Sequence, residues 1–187
     1  MANVSVYNIE GKEVGSIELN DGTVIVNGPQ DNGNGALDYD STFNINGGLL
    51  IAAGSSGMAQ NPSTSSTQNS INVYVNGTAN SLLTIKAESG EEIISFAPSK
   101  SYQSVIISSP ELETGKTYSA YYGGTSTGTS TDGLYTDGTT SGGTEITSFT
   151  LSSTVSNVSQ SGVTTGGSNS AMPGAGGNMT KPNSGRR

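Results

Sequence analysis

Residues 41–54 read "STFNINGGLLIAAG", two apolar runs joined by Asn46-Gly47-Gly48. An Asn-Gly step between alternating apolar residues is the strongest short-range signal for a β-hairpin, because Asn and Gly tolerate positive φ. A similar sequence precedes it, "DGTVIVNGPQDNGNGALDYD" at residues 21–40. Two interpretations are therefore open, an isolated hairpin and one turn of a repeating structure.

An apolar residue followed by Asn-Gly occurs three times. Val26-Asn27-Gly28 and Ile45-Asn46-Gly47 match at an offset of 19 residues, and Val75-Asn76-Gly77 follows 30 residues later. A recurrence near twenty residues is typical of a solenoid whose turns share a corner. A meander of hairpins fits the same spacing nearly as well.

The composition favours an all-β chain. Of the 187 residues, 31% are hydrophobic and 12% are charged, against roughly 45–50% and 25% in an average globular domain. Short runs of Val, Ile, Thr and Tyr between Gly and Asn predict strands. No stretch has a helical period.

Charge and residue content exclude several classes of function. The net charge is −8, and Arg186 and Arg187 are the only arginines, so the basic footprint of a nucleic-acid-binding protein is missing. The absence of Cys and His excludes thiol nucleophiles and the commonest zinc ligand. No apolar run reaches the roughly 20 residues of a membrane helix. The N-terminus lacks the basic start and apolar core of a signal peptide.

Four segments are predicted. Residues 1–20 form a hairpin, 21–69 hold turns and a loop, 70–160 form an antiparallel sheet or sandwich, and 161–187 are disordered. Within the third segment, the Gly/Ser/Thr-rich residues 123–144 are predicted to be a mobile loop. Two apolar clusters are expected: Val24, Val26, Phe43, Ile45, Leu49 and Ile51 in one, and Ile85, Ile94, Phe96, Val105, Ile107 and Phe149 in the other.

Two parts of the chain resemble different families. "MANVSVYNIEGKEVGSIELN", residues 1–20, resembles the N-terminus of the bacterial fourth large-subunit ribosomal protein. The resemblance stops near Asn20, and the basic RNA-contacting body of that family is absent, so it implies no ribosomal function.

Residues 21–160 resemble the C-terminal part of a family of bacterial extracellular carbohydrate-binding proteins. The resemblance rests on "GTVIVNGP", "NGALDYDSTFNINGGLLIAAGSSGMAQNPS", "FAPSKSYQSVIISSPEL" and "TGKTYSAYYGG". It implies that residues 21–69 hold the terminal rungs of a right-handed parallel β-helix and a loop, and that residues 70–160 form an antiparallel β-rich cap. It also implies a secreted or cell-surface protein that binds plant cell-wall polysaccharide. The chain would then be a fragment or a chimera. The resemblance favours turns of a repeating structure over an isolated hairpin at residues 41–54.

The acidic residues Asp31, Asp38 and Asp40 are the candidate metal ligands. Ca²⁺ takes six to eight oxygens from carboxylates, amides and carbonyls, and Asp38 and Asp40 share a face if they lie on a strand. The resembled family is associated with calcium at β-helix turns. The alternative, which is favoured, is a solvated turn, because Asp and Asn are good turn formers.

Tyr39, Tyr122 and Tyr135 are the candidate carbohydrate contacts, since aromatic faces pack on apolar faces and the phenol adds a hydrogen bond. For any single Tyr, packing within the β structure is the commoner role. An enzyme is not expected. Asp38 and Asp40 could have the carboxylate separation of a hydrolase pair. A polysaccharide lyase would need a base, commonly Arg or Lys, and no Arg precedes residue 186. The competing hypothesis is a structural or adhesive solenoid fragment without a ligand of its own, associating edge to edge through an exposed β-helix end.

Overall fold

The computed structural model describes residues 17–165, and this part of the chain is all-β, with sixteen strands and no helix. The strands are β1 Ile17–Leu19, β2 Thr23–Asn27, β3 Phe43–Ile45, β4 Leu49–Gly54, β5 Ser70–Gly77, β6 Leu83–Ala87, β7 Glu92–Phe96, β8 Tyr102–Ser108, β9 Thr117–Tyr122, β10 Thr125–Ser126, β11 Thr129–Thr131, β12 Leu134–Thr136, β13 Thr140–Ser141, β14 Thr144–Thr150, β15 Val155–Ser159 and β16 Gly162–Thr165.

Two six-stranded sheets form the body of the protein. Sheet A has the strand order β16-β15-β5-β8-β4-β2, and sheet B has the order β11-β12-β7-β6-β9-β14. Each strand turns alternate side chains to opposite faces, so each sheet can present an apolar face to the other sheet. These faces enclose the main core, which includes Ile51, Ile71, Val73, Leu83, Ile85, Phe96, Val105, Ile107, Tyr118, Phe149 and Leu151.

A smaller third layer covers the other face of sheet A. In this layer β1 and β3 pair in parallel, and their side chains pack on Leu50, Ala52 and Ile106 of sheet A. A three-residue corner leads from β1 into β2, and another leads from β3 into β4. Residues 17–27 and 43–54 are thus two units of strand, corner and strand, one stacked on the other.

The stacked units are in register at an offset of 26 residues. Leu19 lies beside Ile45, and Thr23 lies beside Leu49. The predicted offset of 19 is wrong, because the residue stacked on Asn46 is Asn20, whose corner reads Asn-Asp-Gly. The local hairpin interpretation is wrong as well, since β3 and β4 belong to different sheets.

A third segment extends the stack beyond residue 62. The Ser63 and Gln68 amides donate to the carbonyls of Phe43 and Ile45 at 2.8 and 3.0 Å, and the chain then enters β5. The β8 strand is inserted antiparallel between β4 and β5, with Ile107 between Ile51 and Ile71. The stack therefore opens into the sandwich within a single sheet.

The strands predicted between residues 71 and 122 are confirmed as β5 to β9. The prediction that residues 70–160 form a wholly antiparallel unit is wrong at one pair, because β5 and β15 run parallel. The predicted first core cluster is divided, since consecutive residues of β4 face opposite layers. Leu49 and Ile51 belong to the sandwich core, whereas Phe43 and Ile45 belong to the third layer.

Residues 125–141 form one long hairpin, not the loop that was predicted. The pairs β10–β13 and β11–β12 are its two ladders, and Asp132-Gly133 is its turn, with φ of 51° and 88°. Positive φ at both central residues is the signature of a tight type I′ hairpin turn. We call residues 125–141 the arm.

The predicted termini lie partly outside the described residues. Ile17–Leu19 pairs in parallel with β3, and residues 1–16, where the rest of the hairpin was predicted, lie outside the described residues. The disorder predicted from residue 161 is wrong for Gly162–Thr165, which pairs with β15. Residues 166–187 lie outside the described part of the chain.

Candidate functional site

An open cavity of about 540 Å³ lies where an edge of sheet A faces an edge of sheet B. The β2 strand is the outer strand of sheet A, and the arm supplies the outer strands of sheet B. The arm strand β12 is bridged to β7 at one position, Leu134 beside Phe96, and the cavity opens next to this bridge. Its lining includes the stacked corners at 21–23 and 48–49, the loop at 109–111, and residues 134–138 of the arm.

Tyr135 joins this cavity to a second one. The second cavity, of about 290 Å³, is lined by Asn27, Asp132 and Tyr135 among others. Tyr135 itself is half-buried and lines both cavities. Because Thr23 and Asn27 are the two ends of β2, the two cavities follow the length of that strand. We call the two cavities together the edge groove.

The larger cavity has an acidic part and an apolar part, and the apolar part is formed by Leu49, Ile93, Ile94, Pro110 and Leu134. Asp21, Glu92, Glu111 and Asp137 contribute carboxylates, and among the described lining residues there is no Lys or Arg. Ser109, Ser126 and Thr136 add hydroxyl groups. This lining can hydrogen-bond to hydroxyl-rich ligands and repels anionic ones.

Glu92 is the carboxylate of this cavity with the most defined partners. Its Oε1 accepts from the backbone amide of Thr140, from Thr140 Oγ1 at 2.8 Å, and from Lys86 Nζ at 3.3 Å. Its Oε2 accepts from Ser95 Oγ at 2.9 Å. Desolvation by burial raises the Glu92 pKa, but the hydrogen bonds from Thr140, Ser95 and Lys86 outweigh it, and the pKa lies below its ordinary value.

Tyr39 packs within the third layer, away from the edge groove. Its hydroxyl donates to the carbonyl oxygen of Asn61, and its ring meets Phe43 edge to face at 5.9 Å. Burial raises its pKa, although a hydrogen bond with Ser63 partly opposes this. These contacts give Tyr39 a packing role in the structure.

Tyr122 lies at the end of β9, where it packs against the sandwich core. Its hydroxyl oxygen accepts from the Thr78 amide at 3.4 Å. Hydrogen bonds from Ser81 and Thr78 lower its pKa. The three predicted tyrosines are therefore not brought together, and of these three Tyr135 lines the edge groove.

Asp31, Asp38 and Asp40 lie on the connection between β2 and β3, outside any strand. Asp31 Oδ1 accepts from the Gly33 amide at 3.0 Å, which is a local turn. Asp38 and Asp40 were expected to share a face because they were expected to lie on a strand. Residues 28–42 contain no strand, so this expectation is wrong. Within residues 17–165, no three acidic side chains are grouped so as to hold a metal ion. Calcium binding at these aspartates stays a prediction.

None of the four acidic residues that line the larger cavity was predicted from the sequence as a site residue. Asp21, Glu111 and Asp137 come from three distant segments, and only the fold brings them to one cavity. One signal was available. Asp132-Gly133 is a hairpin dipeptide, but the strand before it, Thr129–Thr131, has no apolar residue, and the arm was therefore predicted as a loop.

No protein-family model matches the chain, and no solved structure matches it at a significant level. Between residues 17 and 165 there is no helix of the length and apolarity needed to cross a membrane.

Proposed function

We propose that this protein binds a neutral plant cell-wall polysaccharide along the edge groove, without catalysis. The observation that carries the proposal is the placement of Tyr135, whose side chain lines both cavities of the groove. A Tyr shared by two cavities that combine polar and apolar walls suits a chain of sugar rings, with one ring on the Tyr135 face and its neighbours on either side.

The charge of the groove supports a neutral ligand over an acidic one. The four carboxylates of the larger cavity and the net charge of −8 disfavour a polyuronate such as pectate. Neutral glycans present hydroxyl groups that carboxylates accept from and Ser or Thr hydroxyls donate to.

The state of Glu92 supports binding without hydrolysis. A glycosidase needs one carboxylic acid whose raised pKa keeps it protonated near neutral pH. The pKa of Glu92 is lowered, and its oxygens are held by Lys86, Thr140 and Ser95. Glu92 is therefore unsuited to act as the general acid.

Affinity electrophoresis in gels containing a neutral glucan or pectate tests the proposal. We expect Tyr135→Ala to weaken retention on the neutral glucan about fivefold, because a stacked aromatic ring contributes on the order of 1 kcal/mol. Tyr135→Phe should keep most of the retention. Tyr74→Ala is the matched control, since Tyr74 lies on β5 and hydrogen-bonds with Asn72 at 3.1 Å. Equal retention of Tyr135→Ala and the parent protein would contradict the proposal, as would no retention of the parent.

We further propose that the stacked units are the end of a right-handed parallel β-helix in a secreted or cell-surface protein. Support comes from the parallel register of the two units, in which both strand pairs are offset by 26 residues. It also comes from a side-chain ladder on the corners, in which Asn46 Nδ2 donates to Asn20 Oδ1 at 3.1 Å and Thr67 Oγ1 donates to Asn46 Oδ1 at 3.1 Å. Such stacks grow by adding units to their ends.

Edge-to-edge association is the corresponding expectation for the end of the stack, because an edge strand is a template for pairing. Sedimentation velocity over a range of protein concentrations tests it. A mass that rises with concentration supports association, and a constant monomer mass contradicts it.

A further inference from the structure

A single residue of the arm is held on all its backbone and side-chain polar groups. The Thr140 amide and hydroxyl donate to Glu92 Oε1, and the Thr140 carbonyl accepts from Lys86 Nζ at 3.3 Å. Lys86 and Glu92 lie opposite each other on β6 and β7, and their Nζ and Oε1 atoms are 3.3 Å apart. Their side chains are only 24% and 18% exposed. We call Lys86, Glu92 and Thr140 the latch.

The arm has glycines where it meets sheet B. Gly123 and Gly124 precede it, and Gly142 and Gly143 follow it. Three of the four have φ between 76° and 84°, in the left-handed region that glycine adopts freely. These junctions provide no side chains to hold the arm in place.

The tip of the arm is attached separately. The Ala97 amide donates to the Gly133 carbonyl at 2.8 Å, and Leu134 pairs with Phe96. Tyr135 on β12 follows this attachment, and the latch at Thr140 on β13 is the next described polar attachment along the same side of the arm. Tyr135 therefore lies between a fixed point at the tip and one at the latch.

We infer that the Lys86–Glu92 pair is the positioning element of the edge groove, holding the arm so that Tyr135 lines both cavities. This inference rests on the proposed function for the ligand, but the attachment itself is measurable without one. Lys86 and Thr140 line neither cavity of the edge groove, so neither needs to contact the polysaccharide. The pair acts through the arm.

The latch has a defined dependence on pH. The charged groups around Glu92 are Lys86 on β6 and, in the shared cavity, Asp21, Glu111 and Asp137. Because the folded-state pKa of Glu92 is lowered, the stability it contributes is present above the ordinary Glu pKa of about 4.3. That contribution is lost as the pH falls through the lower folded-state value.

A single tryptophan at position 135 gives a direct readout, because the chain contains no Trp. Acrylamide quenching of Tyr135→Trp is measured in three backgrounds at pH 7. These are the otherwise unchanged chain, Glu92→Gln and, as the matched control, Glu91→Gln, whose side chain is exposed on the adjacent turn. We expect Glu92→Gln to raise the quenching constant about twofold and Glu91→Gln to leave it unchanged. Lys86→Met is the second latch variant and should act like Glu92→Gln.

The pH profile separates a latch from general stability. Between pH 7 and 3, quenching of the tryptophan at position 135 should rise below about pH 4.3, and Glu92→Gln should flatten this step. Equal quenching in Glu92→Gln and Glu91→Gln overturns the inference, as does a step that persists in Glu92→Gln. Neutral-glucan affinity is measured on the Lys86→Met chain with Tyr135 in place, because Lys86 lines neither cavity of the edge groove, whereas Glu92 lines the larger one. A fall supports positioning of Tyr135, and unchanged affinity in a chain whose parent binds overturns it. Failure of the parent to bind overturns the proposed function, while the quenching result still decides whether the latch holds the arm.

Discussion

Two glycine turns of this protein follow alternating apolar runs and have opposite outcomes. Asn46-Gly47-Gly48 sends β3 and β4 into different sheets, whereas Ser89-Gly90 returns β6 onto β7 as an antiparallel pair. Gly48 and Gly90 have similar backbone conformations, with φ of 79° and 88°. The difference between the turns is thus not in the glycine itself.

The partners of the turn amides account for the difference. In the antiparallel turn, the Gly90 amide donates to the nearby Ala87 carbonyl at 2.8 Å. In the corner, the Asn46 amide donates to the Leu19 carbonyl at 2.8 Å, and the Leu49 amide donates to that of Gly22, also at 2.8 Å. A local turn is closed by its own residues, but a corner is closed by the unit stacked beneath it. Turn chemistry therefore predicts where the chain bends and not where it goes next.

The largest expected effect comes from adding one methyl group to each turn glycine. A Cβ on Gly48 would meet the Gly22 carbonyl oxygen at 2.5 Å, whereas a Cβ on Gly90 would meet nothing within 4 Å. Gly48→Ala should lower the free energy of unfolding by about 2–5 kcal/mol, from left-handed strain plus overpacking. Gly90→Ala should lower it by about 1–2 kcal/mol, from strain alone. Urea unfolding measures both, and equal losses would mean that the corners are not stacked.

A smaller effect is expected from the corner side chains. Asn46→Ala removes the hydrogen bonds to Asn20 and Thr67 and should lower the free energy of unfolding by about 0.5–1.5 kcal/mol. Ser89→Ala in the antiparallel turn removes one long bond, 3.4 Å to the Glu91 amide, and should change it by less than about 0.5 kcal/mol. Thermal unfolding of the two variants side by side is the measurement. A larger loss for Ser89→Ala would show that the ladder does not stabilise the stack.

The same contrast explains what the sequence could predict. The strands from residue 71 to 122 follow from alternation and local turns, and they are confirmed. The register of the stack was not predicted, because the corners Asn20-Asp21-Gly22 and Asn46-Gly47-Gly48 differ in sequence. Their backbone hydrogen bonds show that the two corners are stacked on each other. The edge groove could not be predicted either, because it too depends on contacts between segments that are distant in sequence. Tyr135 was predicted as a carbohydrate contact. Asp21 and Glu111, which line the same cavity, come from two other segments that only the fold brings near it.

The smallest effect is expected at the connection between the two stacked units. Asp38 and Asp40 are exposed there, so Asp38→Asn combined with Asp40→Asn should leave the melting temperature within error of the parent. Retention on neutral glucan should also be unchanged by the double variant and by a chelator such as EDTA. Loss of retention with EDTA that is restored by added Ca²⁺ would contradict this expectation and would favour the calcium site.

Disulfide trapping tests the parallel stack at an offset of 26 most directly, because the chain has no cysteine of its own. Stacked residues on adjacent strands are about 4.8 Å apart, which is within the range that a disulfide spans. The chain carrying Asn20→Cys with Asn46→Cys should oxidise readily to an internal disulfide and shift in a non-reducing gel. The chain carrying Asn27→Cys with Asn46→Cys, which reproduces the offset of 19, should stay reduced. The reverse result, a disulfide in the second chain and none in the first, would contradict the stacked corners.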